Sequence, residues 1–314
     1  MTELQDGRGD NDVLDVAIIG AGPAGMTAGL YAARSGLSCA MFERLTPGGQ
    51  LATTEHLENY PGFTQSTSGF ELTTIMHEQA TAFGARTIGE EVMAVDLAAV
   101  PKRITTAFGA YEAKAVIVAT GSRPAKLELP MEPELEGHGV SYCATCDGNF
   151  YRGKDVVVVG GGDTAAADAI YLARICRKVY LVHRRDTLRA TAIYHQRLRE
   201  LENLEFVWDS EVVNYLAEDG KVGGVRVRGV KDGAERDIAA SGVFIAIGMR
   251  PNTEFLEGQL PLDEVGYVMA DERGATEVAG VFAAGDVRTK VLRQAVTAVS
   301  DGAVCADEIA EFLS

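Results

Sequence analysis

Cys143 and Cys146 stand three positions apart in SYCATCDGNF, residues 141–150, with Asp147 directly behind the second cysteine. A CxxC pair either supplies ligands to a metal or cycles between dithiol and disulfide, and spacing alone leaves both open. Two glycine turns carry a different chemistry. Gly20, Gly22 and Gly25 make GxGxxG in VAIIGAGPAG, with Pro23 and Ala24 inside the motif and Glu43 23 residues after Gly20. Such a turn lets backbone approach a pyrophosphate, points a helix N-terminus at its charge, and leaves an acid for ribose hydroxyls. Gly160, Gly162 and Ala165 repeat the pattern as GxGxxA in VVVVGGGDTA. The same interval from Gly160 ends on His183 instead of an acid, and Arg184, Arg185 and Arg189 follow. Guanidinium groups there remove the acceptor for a 2′-hydroxyl and supply charge-assisted donors for a 2′-phosphate. The second turn is thereby marked for NADP over NAD.

Strand, helix and strand must surround each turn. Val16 to Phe42 reads as one βαβ unit and Asp155 to Val182 as another. Each copy continues into short β-prone pieces, 92–96 and 103–107 in the first, 212–215 and 222–228 in the second, which predict a small β-meander in each. Each closes on a strand running into Gly and Arg-Pro, VIVATGSRP at 116–124 and VFIAIGMRP at 243–251. Beyond Pro251 come a strand at 281–284, Gly285-Asp286, and a helical pattern from about Leu292 to Phe312. This last section is too small for a domain and is assigned to the first module. The expected fold is therefore α/β, with residues 125–251 inserted into a discontinuous module of residues 1–124 and 252–314.

Composition fits two globular domains: 314 residues, 46% hydrophobic and 24% charged. No apolar run reaches the roughly 20 residues of a membrane span. The start, MTELQDGRGDND, is acidic and polar where a signal peptide is basic then apolar, so a cytoplasmic protein is expected. A net charge of −16 argues against nonspecific nucleic-acid binding. Five cysteines, an odd number, do not form a secreted disulfide framework.

Two dinucleotide modules with a CxxC just before the second turn resemble the low-molecular-weight thioredoxin reductases. The resemblance runs from about Asp15 to the C-terminus through GAGPAG, PGGQL (47–51), ENYPG (58–62), CATCDG, GGGDTA, HRRDTLRA, AAGDVR (283–288) and LRQAVTA (292–298). It implies two Rossmann-like domains of three-layer ββα build, FAD in the discontinuous one and NADPH in the inserted one. For FAD it implies Gly20, Gly22, Pro23, Ala24 and Gly25, with Glu43 on the ribose. Gly49, Gln50, Leu51, Asn59, Thr120 and Gly121 would lie around the flavin nucleotide, Gly285 and Asp286 at the ribityl chain, and Arg293, Gln294 and Ala295 at the pyrimidine end. A helix N-terminus there suits the negative charge that develops on the flavin ring. For NADPH it implies Gly160, Gly162, Asp163, Thr164, His183, Arg184, Arg185 and Arg189.

The same resemblance makes Cys146 the flavin-facing thiol, Cys143 the interchange thiol and Asp147 the acid that protonates a departing thiolate. It implies thioredoxin as the disulfide substrate, a homodimer, and rotation of one domain against the other about the two Arg-Pro turns. Zinc would need four ligands, and Cys39, Cys176 and Cys305 are solitary, reading as buried thiols in one strand and two helices. His56, His77, His138 and His195 show no ligand spacing among themselves. Flavodoxin- or ferredoxin-directed NADP reductases of this build typically lack CxxC. Dithiol oxidases generally lack the arginine-marked turn, and the flavoproteins of peroxide-reducing systems carry an extra N-terminal region with its own CxxC. A nucleotide-sensing regulator would need an output module.

Overall fold

The computed structural model describes residues from 13 onward except positions 55, 56, 58, 64 and 66. His56 and Glu58, singled out above, lie outside the described residues. Strand β1 (Leu14–Ile19) is buried on both faces, as an apolar strand in the middle of a parallel sheet must be. Helix α1 (Pro23–Arg34) starts with Pro23 in its first turn, where a missing N–H costs nothing. It feeds β2 (Cys39–Phe42), which pairs with β1 in parallel, Val16 opposite Cys39. Helix α2 (Gly69–Ala82) opens on a capping box, Ser68 with Glu71. Then come β3 (Arg86–Ile88), β4 (Val92–Asp96), β5 (Lys102–Thr106) and β6 (Ala110–Val118). The first half of β6 closes an antiparallel meander with β5, and its second half runs parallel to β1.

The chain leaves through β7 (Ser122–Pro124) and builds α3 (Glu132–Leu135), β8 (Val140–Ser141) and α4 (Ala144–Asp147). A second βαβ run follows: β9 (Asp155–Gly160), α5 (Asp163–Ala173), β10 (Lys178–Val182), α6 (Ala192–Arg199) and β11 (Leu204–Val207). Strands β12 (Ser210–Glu218), β13 (Lys221–Gly229) and β14 (Glu235–Ala239) make a separate antiparallel sheet, and β15 (Gly242–Ala246) returns to the parallel one. The chain comes back through β16 (Met249–Pro251), which pairs with β7. It ends with β17 (Val281–Ala283), beside β6, and α7 (Ala295–Phe312).

Two compact units result: the residues up to Arg123 with Arg250–Ser314, and Pro124–Met249. In the first, one face of the sheet packs Val16, Ile18 and Ile117 against α1 and α7, and the other packs Ala17, Ile19 and Val116 against the meander and Leu256, Leu260 and Val268. In the second, the parallel order β11-β10-β9-β15-β8 puts Val156 and Val158 under the α5 and α6 layer. Val157 and Val159 lie against the β12–β14 sheet. Both units are three-layered and Rossmann-like, the second inserted in the first.

Several sequence expectations shift. The units divide after Arg123 and Met249, one and two residues before the expected 124 and 251, because the two linker segments pair as strands. Helix α7 begins at Ala295, not Leu292, since Gln294 caps it in a box with Thr297. Cys176 lies in the turn after α5, not within a helix. In the first unit the meander belongs to the main sheet; only the second has a separate small sheet.

Candidate active site

Cys143 and Cys146 form a disulfide, their Cα atoms 5.3 Å apart. Strand β8 delivers them from the sheet edge, paired in parallel with β15. Cys143 caps α4, its sulfur accepting the Cys146 N–H at 3.3 Å. Ser141 ties the segment together, its hydroxyl donating to Asp147 Oδ2 at 2.6 Å while its oxygen accepts the Cys143 N–H at 3.1 Å. Asp147 therefore stands beside Cys146 with one oxygen bound. The Tyr142 hydroxyl donates to Glu132, whose buried carboxylate also accepts the N–H groups of Leu127 and Leu129. Burial, then Glu132, push the Tyr142 phenol up, so it stays protonated. The other three thiols are buried, which pushes Cys39 and Cys176 up to about 11 and Cys305 up to about 12. They stay as thiols, leaving Cys143 and Cys146 for exchange chemistry.

The first glycine turn sits at the C-terminal ends of β1 and β6. Gly20 has φ +105°, and a Cβ on it would stand 2.5 Å from the Ala119 carbonyl oxygen; one on Gly25 would stand 1.9 Å from Gly20 O. Both must be glycine for internal reasons. Gly22 differs: among the described residues a Cβ on it would meet only Gly49 Cα, at 4.0 Å. The Gly48 N–H donates to Ala21 O at 2.7 Å, pinning the segment of Gly49, Gln50 and Leu51 over the turn. Glu43 Oε2 accepts the Ala21 N–H at 3.1 Å and Oε1 the Leu45 N–H at 3.2 Å, so this acid also shapes the turn it follows. Gln50 donates to Ser122 O, and Thr120 and Asn252 exchange hydrogen bonds at 2.7 and 2.8 Å.

From the far end of the sequence, Gly285 abuts Ala24, and Asn59 donates to Gln294 at 2.8 Å just before Ala295. Among the described residues Asp286 caps no helix: its Oδ1 is buried without a partner there, and burial raises its carboxyl pKa. The Arg293 guanidinium lies 3.8 Å from the Tyr267 ring centroid, its Nε also unpartnered. Residues from six stretches, about Gly20, Gln50, Asn59, Thr120, Asp286 and Arg293, thus surround one end of this sheet.

In the second unit Gly162 has open space where a side chain would be, and α5 starts directly behind it. Asp163 accepts the Thr191 N–H at 2.7 Å, and Gly161 O accepts the Arg189 N–H at 2.7 Å, folding residues 184–191 back onto the turn. His183 is buried, with its ring where a side chain on Gly161 would go. Burial and Arg189 lower its pKa, so it supports the turn as a neutral imidazole. Arg184, Arg185 and Arg189 are exposed, and none forms an ion pair among the described residues. Thr164 is exposed at the start of α5.

The pattern of the pyridine nucleotide-disulphide oxidoreductases matches residues 14–302. The chain belongs to that family. Thioredoxin reductase of Streptomyces coelicolor is 47% identical over 307 residues, covering 97% of this chain and 95% of the relative. That of Bacillus subtilis is 45% identical over 304 residues, covering 97% and 96%. Among solved structures, Lactococcus lactis thioredoxin reductase superposes with TM-score 0.78 at 42% identity, covering 96% of this chain and 99% of that one. The Streptococcus pyogenes enzyme gives 0.76 at 44%, covering 97% and 99%. This oxidoreductase carries its redox disulfide in the inserted unit.

The residues present fit two dinucleotides. Gly22 and Gly162 have no internal reason to be glycine, and a phosphate approaching the backbone supplies one. Asp286 offers a buried oxygen still lacking a donor. Among the described residues, sequence reasoning missed Ser141, Glu132, Asn252 and Asp301. Ser141 could have been found as the hydroxyl two residues before the first cysteine. Glu132 acts through its burial and local backbone bonds, which the sequence does not show, and Asn252 and Asp301 act through contacts distant in sequence.

Proposed function

We propose that the protein is an NADPH-dependent thioredoxin-disulfide reductase using FAD. The observation that carries this reading is the Cys143–Cys146 disulfide, backed by Asp147, in the same unit as an arginine-flanked dinucleotide turn. FAD, held by the first unit through Gly20, Gly22, Glu43, Asn59, Asp286 and the start of α7, would relay the two electrons of an NADPH hydride. NADPH would lie over Gly160 and Gly162, with its 2′-phosphate between Arg184, Arg185 and Arg189. Reduction of the disulfide takes two electrons and two protons and leaves two thiols. Asp147, next in the chain, would deliver a proton to Cys146; its hydrogen bond from Ser141 supports that role. Cys143, as thiolate, then attacks the partner's disulfide, and Cys146 displaces the partner from the mixed disulfide, regenerating Cys143–Cys146 and leaving a partner dithiol. The half-reactions alternate by turning one unit against the other about the paired β7 and β16. Thioredoxin as partner, a homodimeric assembly and a cytoplasmic setting belong to the same reading; the relatives' names support the first of these, and among the described residues no helix is long and apolar enough to cross a membrane.

The test is anaerobic turnover of the yellow protein with NADPH or NADH, thioredoxin and a chromogenic disulfide. Cys143→Ser abolishes disulfide reduction while NADPH still bleaches the flavin, and Arg184→Ala erodes the preference for NADPH. Activity surviving Cys143→Ser, or an NADH preference that Arg184→Ala leaves untouched, overturns the reading.

A further inference from the structure

The flavin reading accounts for Asp286 and the start of α7 but leaves a buried charge cluster beside them without a task. Asp301, in the second turn of α7, uses Oδ2 to accept the Gly285 N–H at 2.9 Å and Lys290 Nζ at 2.8 Å. Its Oδ1 accepts Arg288 Nη1 at 3.2 Å. The three side chains are nearly closed off, 15%, 8% and 9% exposed for Asp301, Lys290 and Arg288. Arg288 also donates to Asp271 O, and its own carbonyl oxygen accepts Arg293 Nη2 at 3.3 Å. One carboxylate thus fixes four things together: the backbone of Gly285, the segment 288–290, the guanidinium of Arg293 through Arg288, and α7 itself.

Two buried cations on one carboxylate are expensive for an apolar interior, and such groups persist where geometry demands them. Here the turn has little freedom by other means. Gly285 has φ +77° and abuts Ala24 of the first glycine turn. A shift of Gly285 would move Asp286 with it, and Asp286 Oδ1 has no donor among the described residues.

We propose that Asp301 is a positioning residue for the flavin, clamping the Gly285–Asp286 turn and the α7 start in the geometry that receives FAD before FAD arrives. The proposal rests on the flavin reading above. The clamp acts through the Gly285 N–H and the Lys290 and Arg288 cations and touches no reacting atom, so its effect is on FAD affinity, with the hydride and disulfide steps unchanged once FAD is bound.

The experiment strips the flavin from the wild type and Asp301→Asn and titrates each apoprotein with FAD, following fluorescence quenching and the shape of the bound flavin's absorption band. Apoprotein and holoprotein are melted in parallel. The expected result is FAD affinity lower by about tenfold or more, the scale of one charge-assisted hydrogen bond, with FAD raising the melting temperature less in the variant than in the wild type. Asp286→Asn closes a double-mutant cycle: if Asp301 works through the Asp286 turn, the two losses in affinity are less than additive. Lys290→Met keeps the Gly285 bond and serves if Asp301→Asn does not fold, with a smaller loss of affinity expected. Equal loss of melting temperature in apo and holo forms with unchanged affinity, or additive losses in the cycle, overturns the proposal and leaves the flavin reading standing. A wild-type apoprotein that takes up no FAD overturns both.

Discussion

Asp147 and Asp168 illustrate two fates of a carboxyl. Asp147 is oriented by Ser141, and as the acid that follows Cys146 in the chain it is predicted to matter for rate more than for stability. Asp147→Asn lowers steady-state disulfide reduction by roughly 100-fold, the usual worth of a general acid; Ser141→Ala lowers it less, and stopped-flow bleaching of the flavin by NADPH stays normal in both. An undiminished turnover in Asp147→Asn would leave proton delivery to water. Asp168, on α5, has no charged partner among the described residues, and burial pushes it from 3.8 up to about 7. Its folded value is raised, so the native state keeps a proton that the unfolded chain gives up between about pH 4 and 7, and stability falls as pH rises through that window. Asp168→Asn should therefore melt higher than wild type by a margin that grows from about pH 4 to pH 7 and then levels off; a margin independent of pH would show that Asp168 is not titrating. Asp147 was legible because it adjoins a cysteine. Asp168 was not, since burial without a partner is invisible in DTAAADAI.

Helix α7 and the glycine turns act at the scale of elements. Gly302 of α7 lies against α1, where a Cβ would stand 2.1 Å from the Ala24 carbonyl oxygen. Gly302→Ala must push the helices apart and is predicted to cost about 1–3 kcal/mol in chemical denaturation, the usual range for overpacking. Gly162→Ala meets nothing within 4 Å and should leave the apoprotein's stability within about 0.5 kcal/mol. Its effect is to raise KM for NADPH, and an unchanged KM would place the pyrophosphate elsewhere. The strand–turn–helix units were legible because apolar period and glycine spacing are local signals. The start of α7 was misplaced by three residues because Gln294 and Thr297 cap it, a pattern outside the common Ser or Asp caps. Asp301 was illegible for a further reason: its partners Gly285, Arg288 and Lys290 lie 16, 13 and 11 residues away, farther than helical periodicity reaches.

At the scale of the whole molecule, two units with separate cores should respond separately to their ligands. Calorimetry is predicted to resolve two transitions, with added FAD raising the one that belongs to the first unit and NADP⁺ the other. At a ligand excess of about 1,000 Kd each gains roughly 4 kcal/mol. One transition shifted equally by both nucleotides would mean that the units melt as one. The insertion itself was legible from the matched endings VIVATGSRP and VFIAIGMRP, but their pairing as β7 and β16 was not, because nothing in either segment names its partner. The Ala125 N–H donates to Gly248 O at 3.0 Å on one side of that ribbon, and the Asn252 N–H to Gly121 O at 3.0 Å on the other. Breaks far apart in the gene are therefore one place in the fold. A recombination event that replaces everything between them has a single seam to heal, and insertions are tolerated where chain ends meet. Through that seam the whole inserted unit can be exchanged while the unit around it is inherited intact.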